Sequence, residues 1–216
     1  RVELPNDAAK ESFNRLIAEA KLLRAICYFD LVRMWGDVPL KLTASNKTEN
    51  FAVTRTDKEL VYDQIITDME EAVKDLPWYN EVSSYEGRPS KGAAMGLLAR
   101  DYLYRAGYSL HQNGKMERPE KYLDYYKKAK EVCAELINSH RHKLNNSYEK
   151  VFKNVCEGIM DPSEVMYEVQ FFNPSGESDH SSKIGSYNSP EINRNSSFGL
   201  GNSFIKTSCF AYDLYE

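Results

Sequence analysis

The stretch Ala18–Leu40, AEAKLLRAICYFDLVRMWGDVPL, decides how this sequence folds. From just before it and through it, apolar residues recur at Phe13, Leu16, Ile17, Ala20, Leu23, Ile26, Cys27 and Leu31, the spacing of one helix face. Asp7 is a suitable N-cap. Gly36 followed by Pro39 makes a stop, because glycine admits the backbone turn that ends a helix and proline has no amide hydrogen to continue one. The spacing predicts a helix over 7–35 with those residues turned to the core. Trp35, beside the stop, is expected to pack against the following helix. Arg24, in an apolar helix, is expected to pair with a carboxylate, Asp37 being one candidate.

Downstream, the same reasoning predicts three more helices. The second starts at Thr56 or Asp57, runs through Leu60, Val61, Ile65, Ile66, Met69, Ala72, Val73 and Leu76, and ends at Pro77. Ser90 caps the third, whose early turns carry Ala93, Ala94, Gly96 and Ala99; such small residues let neighbouring helices approach on more than one side. The fourth covers 121–139. The expected fold is all-α, with a helical scaffold over 7–139. The helices fall into pairs in which small residues on one receive large ones from the next, a layout similar to tetratricopeptide repeats with long loops inserted. From 140 to 216 the chain is expected to be irregular and loop-rich, apart from a short β segment near 164–171 where apolar and polar residues alternate.

Composition limits the function. The 216 residues carry 28 Lys and Arg against 32 Asp and Glu, a net charge of −4, which argues against nucleic acid as a partner because phosphate binding needs a basic field. The four cysteines, Cys27, Cys133, Cys156 and Cys209, show no zinc-ligand spacing; Cys27 and Cys133 are expected to be buried thiols. No apolar run approaches the length of a membrane span. The histidines form no ligand constellation, and no nucleophile elbow, P-loop or dinucleotide fingerprint is present. Neither metal nor cofactor is expected. The 15 Tyr, 9 Phe and 2 Trp are more suggestive, because aromatic rings can stack on sugar faces while tyrosine hydroxyls bond to sugar oxygens.

The opening run resembles the central signature of the SusD/RagB family, with Glu-Ala, Leu-Arg-Ala, Tyr-Phe-x-Leu-Val and Gly-Asp-Val-Pro-Leu all in place. RTDKELVYDQIITDMEEAVKDLP, PSKGAAMGLLARDYLYRAG, YYKKAKEVCAELINS and SEVMYEVQF are similar to the segments that come next in that family, so the resemblance covers about 9–171. It implies a single SusD-like α-helical domain over 1–216, incomplete at both ends. It also implies a lipid-anchored protein of the outer membrane facing outward, the lipid lying on an N-terminal segment absent from this chain. Its implied role is to capture oligosaccharide or polysaccharide without cleaving it and to deliver it to a SusC-like TonB-dependent transporter. A protein-interaction scaffold with no sugar site of its own in this segment is the alternative, and a glycoside hydrolase a distant third.

The resemblance assigns Glu19, Arg24, Tyr28, Gly36, Asp37 and Pro39 to scaffold and leaves the sugar residues unmarked. Physical chemistry suggests two platforms where exposed rings are flanked by amide, carboxylate or guanidinium groups. One comprises Phe172, Asn173, Tyr187, Asn188, Arg194 and Phe198; the other is the loop bearing Trp78, Tyr79, Asn80 and Tyr85. The first ranks ahead because the expected strand fixes its base.

Overall fold

The computed structural model describes residues 6–45, 52–82 and 87–169. The chain divides into two units, Arg1–Glu168 and Val169–Glu216. The first unit is built from α1 (Asp7–Trp35), α2 (Lys58–Asp75), a 3₁₀ turn (Tyr79–Glu81), α3 (Lys91–Ala106), the strands β1 (Ser109–Leu110) and β2 (Met116–Glu117), α4 (Tyr122–Asn138) and α5 (Tyr148–Cys156). Among the described residues no helix is long and apolar enough to cross a membrane.

Local chemistry sets the helix ends. Asn6, one residue before the expected cap, accepts from the Ala9 amide at 2.8 Å and leaves Asp7 in the first turn, where its charge suits the helix dipole. Asp57 caps α2 by accepting from the Glu59 amide at 2.7 Å, and Ser90 caps α3 through the Ala93 amide at 3.3 Å. Gly36 ends α1 at φ 69°, a left-handed conformation that glycine adopts without steric cost, while its amide donates to the Val32 carbonyl at 2.9 Å.

Each helix packs on the next in chain order, α1 on α2, α2 on α3 and α3 on α4, the arrangement of tetratricopeptide-like helix pairs. The core runs through all four: Leu22, Ala25 and Phe29 of α1, Val61, Ile65, Met69 and Ala72 of α2, Ala94, Leu98 and Tyr102 of α3, and Ala129 of α4. α3 packs against both α2 and α4, and its Gly96 faces Met166, so the helix is covered on more than one side, as its small residues predict.

The structure departs from the sequence-based expectations in several places. The buried stripe of α1 is Ala18, Leu22, Ala25, Phe29 and Val32, whereas Phe13, Leu16, Leu23 and Leu31 are exposed. At 100° per residue these sets fall on opposite sides of the helix, so α1 is apolar on two faces and only one meets α2. Trp35, at the end of α1, is 65% exposed instead of packed. Cys27 and Cys133 are likewise exposed, as is Cys156. The expected β segment is absent over 165–169, where no strand is assigned, and 170–171 lie outside the described residues; the two short strands instead form an antiparallel hairpin pairing Ser109 with Glu117 and Leu110 with Met116. Within 140–169, expected to be irregular apart from that segment, the chain forms α5, whose Tyr148, Phe152 and Val155 are also exposed.

Candidate functional site

The signature turn works as a clamp between α1 and α2. The Asp37 carboxylate accepts from the Lys58 amide at 3.0 Å, holding the first turn of α2, and also from the Gln112 side chain. The Thr56 amide donates to the Val38 carbonyl at 2.9 Å, forming an isolated bridge. The Tyr28 hydroxyl accepts from the Lys41 amide at 2.7 Å and donates to the Lys41 carbonyl at 3.1 Å, so the chain past Pro39 is tied back to α1. Arg24 pairs with Asp68 on α2, not with Asp37: two guanidinium nitrogens reach the two carboxylate oxygens at 2.6 and 2.7 Å. That carboxylate holds the Arg24 guanidinium above its ordinary range. Glu19, 6% exposed, is clasped by Arg15 at 3.0 Å and by Arg88. These residues hold α1 to the elements packed against it, and of them Asp37 also borders a cavity.

A cavity of about 250 Å³ lies beside this clamp, lined by Asp37, Asp57, Lys58, His111, Gln112 and Asn113. Both carboxylates serve as caps of α2, and the Lys58 ammonium is tied to the Leu110 carbonyl at 2.6 Å and the Ser109 hydroxyl at 2.8 Å. Burial lowers the Lys58 pKa. Among the described residues no group of three or more His, Cys, Asp or Glu could hold a metal ion.

The Trp78 loop is built differently. After α2 the chain enters the 3₁₀ turn, and its Tyr79 hydroxyl donates to the Arg141 carbonyl at 3.0 Å, joining it to the segment after α4. The His142 imidazole packs against both rings, 5.1 Å from Tyr79 and 6.2 Å from Trp78 between centroids. The Arg141 guanidinium lies 5.6 Å from the indole centroid and bonds to the Asn80 side-chain oxygen at 2.8 Å and to Glu81 at 3.1 Å. The Lys91 ammonium sits 5.7 Å over the same indole. Among the described residues no group stands in hydrogen-bond geometry to either buried His142 ring nitrogen; burial lowers its pKa, partly opposed by nearby backbone groups of Ser163 and Pro162. The turn thus presents half-buried rings, the exposed amide of Asn80 and a guanidinium, groups suited to hold a polar ring-shaped ligand.

Of the expected binding residues, the structure brings Trp78, Tyr79 and Asn80 together. Tyr85 and the other platform, Phe172, Asn173, Tyr187, Asn188, Arg194 and Phe198, lie outside the described residues. Arg141, His142 and Lys91 escape sequence reasoning because they join the turn only through tertiary packing, across up to 64 positions, from Trp78 to His142.

A family profile, SusD-like, described as starch-binding associating with outer membrane, matches residues 1–103. A SusD-like protein of Bacteroides ovatus is 34% identical over 151 residues, 68% of this chain and 24% of its own. A SusD homolog of Bacteroides thetaiotaomicron superposes with a TM-score of 0.74 at 32% identity, covering 85% of this chain and 34% of that one.

The chain belongs to the SusD/RagB family.

A laminarin-binding SusD-like protein is a further structural relative, with a TM-score of 0.60 at 30% identity over 80% of this chain and 33% of its own. The chain therefore spans about a quarter to a third of the length of these SusD-like relatives. Its Glu-Ala to Val-Pro signature is, in this structure, the clamp that joins α1 to α2.

Proposed function

We propose that this chain is the helical scaffold part of a non-catalytic, cell-surface glycan-binding protein, one that captures oligosaccharide and passes it to a SusC-like TonB-dependent transporter. Membership of the SusD/RagB family carries the reading, and the laminarin-binding relative supports carbohydrate as the ligand class. Attachment to the outer membrane through an N-terminal lipid belongs to the same proposal. The sugar contacts are assigned to Trp78, Tyr79 and Tyr85 on one platform and to Phe172, Asn173, Tyr187, Asn188, Arg194 and Phe198 on the other.

A second reading, a protein-interaction scaffold without its own sugar site in this segment, draws on the outer face of α1. Phe13, Leu16, Leu23, Leu31 and Met34 expose an apolar stripe there of the kind that marks contact surfaces. Affinity electrophoresis of the longer protein in laminarin and other polysaccharide gels, comparing Trp78→Ala and Tyr187→Ala with the parent, separates the two. Retardation weakened at least about tenfold by either substitution supports the assigned platforms, since one base-like stacking ring is worth about 1–3 kcal/mol. Retardation unchanged in both variants removes those platforms and favours the scaffold reading for this segment.

A further inference from the structure

Asp101 stands in the middle of α3 with no exposed surface. Neither of its carboxylate oxygens has a hydrogen-bond partner among the described residues. It shares the inward stripe of the helix with Ala94, Leu98 and Arg105, which succeed one another at helical spacing. Arg105, one turn further on, is the obvious cation for it, yet its two terminal nitrogens are engaged by Glu59 and, at 3.5 Å, by Asp63, both on α2, while its buried Nε bonds to no group among the described residues, Asp101 included.

The other charged and titratable groups around Asp101 do not replace that partner. Arg100, its neighbour on α3, exerts some attraction but lies 4.9 Å over the Phe29 ring of α1. Asp30 on α1 repels a second negative charge, and Arg33 on α1 is held at Tyr104 and over Phe29. From α2, Tyr62 approaches, itself buried, its hydroxyl pushed up to about 12. From α4, Tyr125 and Lys128 meet Arg105 and Tyr102 instead. A carboxylate ion left unpaired in such a place is so costly that the group takes up a proton.

We propose that Asp101 is a proton-carrying carboxyl of the core, and that its protonation makes the helical scaffold firmer in mild acid than at alkaline pH. Burial raises the Asp101 carboxyl from its ordinary 3.8 to about 7, with repulsion from Asp30 adding to the effect and Arg100 opposing it. Between those two values the folded chain holds up to one proton more than the unfolded chain. Stability contributed by this group is therefore greatest in acid and falls as pH rises through the window, by up to tenfold in the unfolding constant per pH unit. Above about 7 both states are ionised and the dependence ceases. A neutral carboxyl also accounts for Asp101 being tolerated at the centre of an apolar stripe, where a permanent charge would drive α3 away from α1 and α2.

The test is urea unfolding of this chain from pH 5 to 8, wild type against Asp101→Asn, whose amide imitates the neutral acid but cannot titrate. The unfolding constant of the wild type is expected to rise with pH more steeply than that of the variant, by up to tenfold per unit between pH 5 and 7. Parallel profiles would overturn the proposal. If the variant does not fold, ¹³C NMR of the wild-type aspartate carboxyl carbons, with Asp101 assigned through its backbone, decides the matter: a titration near neutrality supports it, and a carboxylate already ionised at pH 5 overturns it.

Discussion

Arg24 offers the sharpest perturbation of the scaffold. Asp68 has 2% of its side chain exposed and accepts two bonds from Arg24, at 2.6 and 2.7 Å, and one from the Gln64 amide at 2.9 Å. Arg24→Ala leaves a buried carboxylate with a single neutral donor. Removing one member of a buried pair costs about 3–5 kcal/mol, because the surviving charge stays desolvated. Arg24 itself is 30% exposed, so water can enter the vacated space and partly solvate Asp68, placing the expected loss near the lower bound, about 3 kcal/mol. With urea slopes of about 1–3 kcal/mol per molar, the unfolding midpoint should fall by about 1 M or more. The double substitution Arg24→Met, Asp68→Leu removes both polar groups and should recover most of that loss. A fall below about 1 kcal/mol in Arg24→Ala would mean that the pair is already solvated, and a buried ion pair would no longer describe it.

Two further perturbations examine the packing. Adjacent leucines report which face of α1 is buried: Leu22→Ala, at a position with no exposure, should cost about 2–5 kcal/mol, while Leu23→Ala, 45% exposed, should cost well under about 1 kcal/mol, both by urea unfolding. Gly92→Ala places a methyl group against the His142 imidazole, so that ring must move off its place beside Tyr79 and Trp78; the His142 ring resonances in an NMR spectrum should shift, and an unchanged ring environment would contradict the contact.

The helical framework is legible in the sequence. The bounds of α1, the start of α2 near Asp57, the Ser90 cap and the Gly36 stop can be read there because each depends on a few neighbouring residues. The buried face of α1 cannot. Its apolar residues occupy two opposite sides, and periodicity reports both without telling which one meets α2. The partner of Arg24 escapes for a related reason: Asp37 is near in sequence, whereas Asp68 is 44 positions away and reaches Arg24 only once α1 and α2 are packed. Exposed Cys27, Cys133 and Trp35 show the same pattern, since each sits on or beside an apolar face that meets no partner helix within the described scaffold. Of the candidate site, the Trp78–Tyr79–Asn80 turn is visible as an aromatic run beside a proline, but the cations that settle on its indole arrive from α3 and from the segment after α4.

Capture of glycan without chemistry can be examined by isothermal titration of the longer protein with laminarin-type and other oligosaccharides, and then by assay of the same samples for new reducing ends. A non-catalytic binder gives saturable heat with at least one glycan and no increase in reducing ends. Release of reducing sugar, or no binding across a broad glycan panel, would contradict that role.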